Sequence, residues 1–378
     1  MTVVHVIEPF ASGVTTAIIS ITRELKKVKH IVIHGSRTWV DSEDRVKAKF
    51  PPEVRFIPWK RAGREINPLQ DGLALAELVS LLRKLKVPDM VVHLHSSKAG
   101  FLGRLACRIT GIRRVIYTPH GASFLRRDVG PLRRAFFKGL EKLGGCFSGA
   151  VVGCGQSEGE LYGSRGKPAL WVANGVKVEE APPREKRYFA CFAGIANCQK
   201  NPALFNAVVE ALGEGSGFSG EPVPAGSGGG GRDFVWVGDG ALRRELTSPR
   251  IKITGWVGPG QVGEYLAESL VYLSTSGWEG LPYGVLEAMG ASLALVLTDI
   301  PGHRDLVEPG KNGFLFREPE EAAAILRDFA ANPGKAPAMG AESRRIVTER
   351  FSVERMGEGY RGIYRALLEG GVVIPPGT

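Results

Sequence analysis

Short apolar runs alternate along the chain with segments whose apolar residues recur at helical spacing. In the first half, the runs with the length and β-branched content of buried strands are 2–8, 30–34, 54–57, 89–95, 114–118, 149–153 and 169–173. Helical spacing lies between them at 14–27, 72–85 and 98–110. Strands that alternate with helices indicate parallel sheets covered by helices.

The second half repeats this scheme. Its predicted strands are 188–194, 233–237, 251–254, 270–274, 293–297 and 312–316. Its predicted helices are 200–212, 260–267, 283–291 and 319–331. We therefore predict an α/β fold of two doubly wound, Rossmann-like domains, which bind ligands beyond the carboxyl ends of their parallel strands.

The boundary between the domains is predicted in the charged, proline-containing stretch 175–187. The domains then cover 1–175 and 176–350, and a tail at 351–378 contains helical spacing at 353–370. Periodicity does not tell on which domain this tail helix packs. The glycine-rich segment 213–231 precedes a strand and lacks the fixed glycine spacing of a phosphate loop, so we predict a flexible surface insertion.

Composition excludes several classes of protein. With 43% apolar and 23% charged residues the chain is globular, and no apolar stretch reaches the roughly 18 residues of a membrane span. The first residues read directly as a strand, so no secretory signal is expected. The five cysteines include no CxxC pair, which favours free thiols in a reducing, cytoplasmic compartment over disulfides or a zinc site.

The charge is distributed unevenly. Residues 1–170 carry a net charge of +14 and residues 171–378 a net charge of −4. A basic half can face nucleic acid, an anionic membrane or a phosphorylated substrate, or can simply keep the surface soluble. The basic and apolar stretch 124–143 is either a surface helix with a core face or a site of adsorption to an anionic membrane. No recognition module for nucleic acid is visible, so nucleic acid is not an expected partner.

The segment 274–287, STSGWEGLPYGVLE, has the clearest chemistry. A buried strand ends in a loop, and Pro282 is predicted at the first position of a helix whose free N–H groups attract an anion. Glu287 lies five residues further, about 7.5 Å along the helix axis, roughly the span from the diphosphate to the ribose of a nucleotide. Glu287 could then accept hydrogen bonds from two ribose hydroxyls, and Glu279 could meet the group beyond the phosphates.

This block resembles the Glu-x7-Glu signature of retaining glycosyltransferases of family 4, whose GT-B fold has two Rossmann-like domains facing across a cleft. Further stretches follow in the family's order and are similar to bacterial members that build surface polysaccharides or lipopolysaccharides. They are SGV at 12–14, HLHSSKAGFLGRLA at 93–106, YTPHGASFLRRD at 117–128, QKNPALF at 199–205, VGDGALRREL at 237–246 and ITGWV at 253–257. The resemblance covers most of the chain, and its most specific part is the glutamate block with WEGLP.

The resemblance implies a role for each matching residue. Lys200 would neutralise charge on the donor diphosphate as the nucleotide departs. Glu279 would bind hydroxyls of the donor sugar, and Glu287 would bind the ribose. The loop of Gly280, Leu281 and Pro282 would face the diphosphate, with the N–H groups of its first two residues as donors.

Two residues of the first half also have implied roles. His120, after a predicted strand end, would touch the transferred sugar. Gly13 would allow the backbone to approach the diphosphate or the acceptor closely.

One position departs from the family pattern. The chain has Gly194-Ile195 where the family usually has Gly-Arg, so an arginine that normally shares the diphosphate with the lysine is missing. Arg304 or Arg243 could substitute, and the spacing does not decide between them.

No metal is expected. The chain has no Asp-x-Asp pair, and no third ligand is evident beside His93 and His95, which are two residues apart at a predicted strand end. No cofactor is expected apart from the nucleotide-sugar donor substrate.

The resemblance thus implies a metal-independent retaining glycosyltransferase in the cytoplasm, peripheral at the inner face of the membrane. It would move a sugar from a nucleotide-diphosphate donor, with UDP favoured over GDP, to a growing, lipid-linked glycan in polysaccharide biosynthesis. The leaving phosphate would help to take the acceptor proton in a front-face displacement. Two alternatives stay open: a non-hydrolysing nucleotide-sugar epimerase, and a nucleotide-sugar-binding protein impaired by the missing arginine.

Overall fold

The computed structural model describes residues 1–36, 42–63, 65–147, 149–163, 169–179, 184–213 and 233–370. The predicted glycine-rich insertion at 213–231 lies outside these described residues, apart from Gly213. The chain divides into two compact units. The first contains Met1–Leu125, Val129–Gly175 and the segment that begins at Val353, and the second contains Arg126–Asp128 and Val176–Ser352.

The first unit is built on a six-stranded parallel sheet with the strand order β3-β2-β1-β4-β5-β6. Its strands are β1 (Thr2–Ile7), β2 (Lys29–His34), β3 (Arg55–Pro58), β4 (Met90–His95), β5 (Val115–Thr118) and β6 (Ala150–Val151). Its helices in the first half of the chain are α1 (Ser12–Glu24), α2 (Glu43–Lys47), α3 (Pro68–Leu85), α4 (Ser97–Thr110), α5 (Pro131–Gly145) and α6 (Gln156–Tyr162).

The second unit repeats this architecture, with the order β12-β11-β10-β7-β8-β9. Its strands are β7 (Tyr188–Ala193), β8 (Phe234–Val237), β9 (Ile251–Ile253), β10 (Ser269–Ser274), β11 (Ala294–Thr298) and β12 (Gly313–Phe316). Its helices are α7 (Pro202–Ala211), α8 (Pro259–Ala267), α9 (Tyr283–Gly290), α10 (Pro301–Arg304), α11 (Pro319–Ala331) and α12 (Lys335–Arg350). These two parallel sheets with covering helices confirm the predicted fold class.

The last helix, α13 (Val353–Glu369), belongs to the first unit although it follows the second in the chain. It contacts α1 and β4, and its Tyr360 and Tyr364 are fully buried. Within the described ranges, no helix is long and apolar enough to cross a membrane.

The two faces of the first sheet differ in chemistry. On one face, Val4, Val92 and Leu94 belong to an apolar core shared with α3 and α4. Because side chains alternate along a strand, the residues between them point to the other face. There His5 on β1 is the register partner of His93 on β4, and both are fully buried.

One predicted strand and several helices differ from the expectation. The run 169–173 forms only an isolated bridge, between Trp171 and Gly153, so its apolar character reflects burial rather than a full strand. The sequence also missed α2, α6, α10 and α12. In α12 the buried positions include the small residues Ala336, Gly340 and Ser343, so no apolar stripe marks the helix.

Candidate active site

Two segments of the second unit, one after β7 and one after β10, are joined by hydrogen bonds. The two strands pair directly in parallel, so their carboxyl ends are adjacent. The Thr275 hydroxyl donates to the carbonyls of Lys200, at 2.9 Å, and Asn201, at 3.1 Å. The N–H of Gly277 donates to the carbonyl of Gln199 at 2.8 Å. These bonds hold the loop after β10 against the residues that precede α7.

The Glu279 carboxylate, on a side chain that is only 8% exposed, is the polar centre of this junction. The Lys200 ammonium pairs with its Oε1. The Gln199 amide donates to its Oε2 at 3.2 Å and to the Trp278 carbonyl at 3.0 Å. A buried carboxylate loses hydration, and these two donors offset that cost. The structure therefore brings the two predicted residues Lys200 and Glu279 into direct contact.

Gln199 was not among the predicted site residues. It stands beside Lys200 in the QKNPALF stretch, but an amide there carries no distinctive chemical signal. Its role becomes visible only through its two contacts across the loop.

Buried residues Gly280, Leu281 and Pro282 lead from Glu279 into α9. Pro282 is the N-cap, with ψ of 123°, and the helix begins at Tyr283. The prediction of Pro282 as the first helical residue is therefore wrong by one position, because its backbone is extended rather than helical. Among the residues described, the Gly280 N–H has no protein acceptor, so it can donate to a bound anion.

Helix α10 supports this loop from behind. A Cβ added at Gly302 would lie 1.9 Å from the Gly280 carbonyl oxygen, so the close approach requires glycine. The neighbouring His303 lies with Nδ1 2.8 Å from the Thr298 carbonyl and Nε2 3.3 Å from the Ser274 hydroxyl. Burial lowers the pKa of His303 to about 4, so the ring is neutral. Neither residue was predicted as part of the site.

Glu287 lies in α9, and its side chain reaches solvent. Protein nevertheless surrounds the carboxyl on several sides, and this reduced hydration raises its pKa to about 7. Both Glu287 and Glu279 act electrostatically on buried Tyr272, whose own pKa is raised well above the usual range, mainly by burial. The two glutamates of the motif are therefore close to one shared side chain.

Gly194, which precedes Ile195 just after β7, lies beside the lysine. A Cβ at Gly194 would lie 3.6 Å from the Lys200 Cε. Of the two arginines considered as substitutes for the missing one, Arg243 pairs with Asp239 at 2.9 Å. Arg304 pairs with Asp299 at 2.6 Å. Both guanidinium groups are about half exposed.

The remaining predicted residues, Gly13 and His120, belong to the first unit. Gly13 lies in the first turn of α1. The SGV stretch is therefore the start of a helix, and the close-approach role assigned to Gly13 stays a prediction.

His120 follows β5 with a φ of +55°. A left-handed backbone is uncommon outside glycine and persists where surrounding contacts enforce it. The N–H of the next residue, Gly121, donates at 2.6 Å to the buried carboxylate of Glu158, which also accepts from the Cys154 N–H at 2.8 Å. Glu158, which the sequence analysis missed, thus anchors the turn that carries His120.

His5 completes a cluster that the sequence pattern did not reveal. Its ring nitrogen and those of His93 and His95 lie within 4.8 Å of one another, so a third imidazole does stand beside the predicted pair. Every nitrogen of these three rings already lies 2.7–3.2 Å from a protein partner. We therefore assign these rings to hydrogen bonding, and the expectation that no metal is used stays a prediction.

Comparisons with known proteins agree with this architecture. Two family models match, one described as Glycosyltransferase Family 4 over residues 11–180 and one as Glycosyl transferases group 1 over residues 230–332. The chain is 28% identical to the UDP-Gal:alpha-D-GlcNAc-diphosphoundecaprenol alpha-1,3-galactosyltransferase of Escherichia coli, over 72% of this chain and 71% of that protein. It is 24% identical to the putative glycosyltransferase EpsD of Bacillus subtilis, over 74% and 77%.

Solved structures show the same fold at low sequence identity. Anabaena HepE in complex with UDP and glucose superposes with a TM-score of 0.72 at 16% identity, over 96% of this chain and 98% of that one. Sucrose-phosphate synthase from Thermosynechococcus elongatus superposes with a TM-score of 0.76 at 15% identity, over 98% and 100%. The chain is therefore a glycosyltransferase with the GT-B fold, and it matches the family 4 model over 11–180 and the group 1 model over 230–332.

Proposed function

We propose that this chain is a retaining glycosyltransferase that moves a sugar from a UDP-sugar to a lipid-linked glycan during polysaccharide biosynthesis. The observation that carries the proposal is the contact between Lys200 and Glu279 at the loop that leads into α9. This contact places a cation and a carboxylate beside a helix N-terminus, a combination suited to a diphosphate attached to a sugar.

The proposed residue roles follow from the charge that develops in the reaction. The bond between the anomeric carbon and the diphosphate oxygen breaks, and negative charge grows on the departing diphosphate. The Lys200 ammonium, the Gly280 N–H and the positive end of α9 stabilise that charge. Glu279 accepts hydrogen bonds from hydroxyls of the sugar, and Glu287 accepts them from the ribose.

Retention follows if the acceptor oxygen attacks on the face that the diphosphate leaves. The new bond to the anomeric carbon forms on that face, and the acceptor proton passes to the departing phosphate oxygen. The cationic stabilisation comes from the chain itself, so the proposed reaction is independent of a metal ion.

The choice of donor and acceptor is supported by the relatives. The Escherichia coli protein is named for UDP-galactose and for a diphosphoundecaprenol acceptor, and the HepE structure contains UDP and glucose. We therefore propose UDP rather than GDP, and a lipid diphosphate that carries a glycan as the acceptor.

Helix α5 supports a peripheral location at the cytoplasmic face of a membrane. Leu132 is 89% exposed, Phe136 51% and Leu143 49%, and their spacing places them on one face of the helix. Basic residues such as Arg133 and Lys138 lie nearby on the same helix. Exposed apolar residues flanked by cations fit the boundary of an anionic bilayer.

A donor panel with a lipid-diphosphate acceptor tests the proposal. We expect turnover with a UDP-sugar, none with GDP-sugars, and a product whose anomeric configuration, read by NMR, matches that of the donor. An inverted product would exclude retention. Conversion of the donor alone to an isomeric nucleotide sugar would favour the epimerase alternative. Nucleotide binding without turnover would favour an impaired binding protein.

A further inference from the structure

Four histidines form a continuous line of hydrogen bonds in the first unit, and His120 is the last of them. His30 lies on β2, His5 on β1 and His95 on β4, which are three neighbouring strands. The facing nitrogens are 3.2 Å apart between His30 Nδ1 and His5 Nε2, and 3.1 Å between His5 Nδ1 and His95 Nε2. They are 3.0 Å apart between His95 Nδ1 and His120 Nε2. In each link, Nδ1 of one ring therefore meets Nε2 of the next.

The inner end of this line meets a group that can only accept a hydrogen bond. His30 Nε2 lies 3.2 Å from the carbonyl oxygen of Leu25, the C-cap residue of α1, so this nitrogen must donate. The partial negative charge at a helix C-terminus favours a donor at this place.

This one donor determines the direction of every other bond in the line. A neutral imidazole has one donor and one acceptor nitrogen, so His30 Nδ1 must accept from His5 Nε2. His5 Nδ1 must then accept from His95 Nε2, and His95 Nδ1 from His120 Nε2. All four rings are Nε2–H tautomers, and His120 ends the line with an unprotonated Nδ1.

The premise that each ring is neutral is supported by burial. Loss of hydration lowers the pKa of His30 to about 4 and that of His120 to about 3. It also lowers the pKa values of His5 and His95 well below the usual range. The His93 ring lies tilted against that of His95, with the ring centroids 3.8 Å apart, but its nitrogens bond elsewhere, so it does not interrupt the line.

We propose that the Leu25 carbonyl, acting through His30, His5 and His95, fixes the tautomer of His120. Nδ1 of His120 then accepts a hydrogen bond from a hydroxyl of a sugar ligand. A phosphate oxygen can only accept, so it would face a lone pair at this atom and is disfavoured there. The three inner histidines are positioning residues, and only the identity of the ligand at Nδ1 rests on the proposed function.

The tautomers are measured directly by long-range ¹H–¹⁵N correlation spectra of protein labelled with ¹⁵N-histidine, at neutral pH and without substrate. We expect the Nε2–H pattern for His5, His30, His95 and His120. A proton on Nδ1 of His120 in the unmodified protein would overturn the proposal, regardless of the spectra of any variant. Shifts of these resonances after EDTA treatment would mean that a metal ion holds the rings, and would overturn it as well.

His30→Leu tests whether the line transmits the preference, because it removes the ring that is anchored to the carbonyl. We expect His120 in this variant to populate both tautomers, with apparent donor affinity weakened about twofold when half of the molecules keep the competent form. The matched control is His34→Leu, since His34 is buried on the same strand but bonds to the Gly35 carbonyl outside the line. An unchanged His120 pattern in His30→Leu would contradict transmission.

The spectra and the kinetics separate this inference from the proposed function. If His120→Ala keeps full transferase activity while the unmodified protein shows the expected tautomers, the ligand assignment fails and the tautomer line stands. If His120→Ala loses activity while His120 carries its proton on Nδ1, the line and the acceptor role of Nδ1 both fail, and only a requirement for His120 in turnover stands.

Discussion

A lysine held against a buried glutamate is a cation prepared for an anionic ligand. Lys200 is 22% exposed and Glu279 only 8%, so water screens the pair incompletely. Gln199 holds the second carboxylate oxygen, which leaves little freedom for the group. The energetic consequence is that the pair contributes both to the stability of the loop and to the proposed binding of diphosphate.

Replacing either partner of this pair is expected to have different effects. Glu279→Gln keeps the shape and should lower turnover about 10- to 100-fold, the loss of a charged hydrogen bond. Lys200→Met, by contrast, leaves the buried Glu279 carboxylate without its cation. It should therefore lower the free energy of unfolding by about 2 kcal/mol, less than for a fully buried pair. Steady-state kinetics and urea unfolding measure the two effects.

Lys311→Ala is the matched control for this pair, because Lys311 forms an exposed pair with Glu308 in the same unit. We expect it to leave both turnover and stability unchanged within error. Equal turnover of Glu279→Gln and the unmodified protein would contradict the role assigned to Glu279.

Glu287 makes stability and nucleotide binding depend on pH in opposite directions. Its pKa is raised to about 7 in the folded chain, so the folded state holds the proton more tightly than the unfolded state does. Its contribution to the free energy of unfolding is therefore present below about pH 4.5 and is lost as the pH rises through about 7. In the proposed function the ionised carboxylate accepts hydrogen bonds from both ribose hydroxyls, so its contribution to UDP affinity should rise over the same range.

Unfolding and calorimetric titrations with UDP between pH 5 and pH 8, run in parallel, measure this dependence. Glu287→Gln should remove this part of the pH dependence from both the free energy of unfolding and the UDP affinity. Glu354→Gln, at an exposed glutamate, should leave both pH dependences as they are in the unmodified protein. If the difference in the free energy of unfolding between Glu287→Gln and the unmodified protein is independent of pH, a raised pKa of Glu287 is excluded.

At the scale of elements, short helices and the loops before them position the chemistry. Helix α10 has only four residues, yet Gly302 packs against the loop that leads into α9, and His303 contacts Ser274 at the end of β10. Sequence patterns identified α9 and its loop because a buried strand, a proline and two glutamates stand in one stretch. They did not identify α10, because its contribution is a close backbone approach rather than an apolar stripe.

The exposed apolar face of α5 leads to a prediction for membrane binding. The double variant Leu132→Ser/Phe136→Ser should bind vesicles that contain anionic phospholipid at least about 100-fold more weakly, because burying each large apolar side chain contributes about 1.5–3 kcal/mol. Co-sedimentation with anionic vesicles and with purely zwitterionic vesicles measures this loss. The control is Leu161→Ser, at another exposed leucine of the first unit. Equal sedimentation of both variants would contradict a membrane role for α5.

At the scale of the whole molecule, each unit has its own sheet and core, and the last helix of the chain belongs to the first. Tyr364 of α13 lies fully buried, with its hydroxyl 2.7 Å from Nδ1 of His93 on β4. Helix α13 therefore contributes to the stability of a unit that begins at Met1. The proposed nucleotide contacts lie in the second unit. A change in α13 should therefore alter the local stability of the first unit, and nucleotide binding that of the second.

Hydrogen exchange followed by mass spectrometry tests this separation. Tyr364→Phe should lower the local stability around β4 and α13 by about 1 kcal/mol, the usual value of one hydrogen bond. UDP should instead protect peptides of the loop before α9, since a ligand stabilises the unit that binds it. Faster exchange of Tyr364→Phe confined to the second unit would contradict the assignment of α13.

The positions of most strands and of the longer helices between them, the paired doubly wound sheets and the glutamate block could be determined from the sequence. Each of these features depends on residues that are close together in the sequence, as a hydrophobic periodicity, a strand end or a short motif. Only the tertiary structure decided that Lys200 meets Glu279 across 79 residues, that His5 meets His95 across 90, and that α13 covers the first sheet. Such contacts depend on which strands become neighbours, and sheet order is a property of the packed chain that local patterns do not encode.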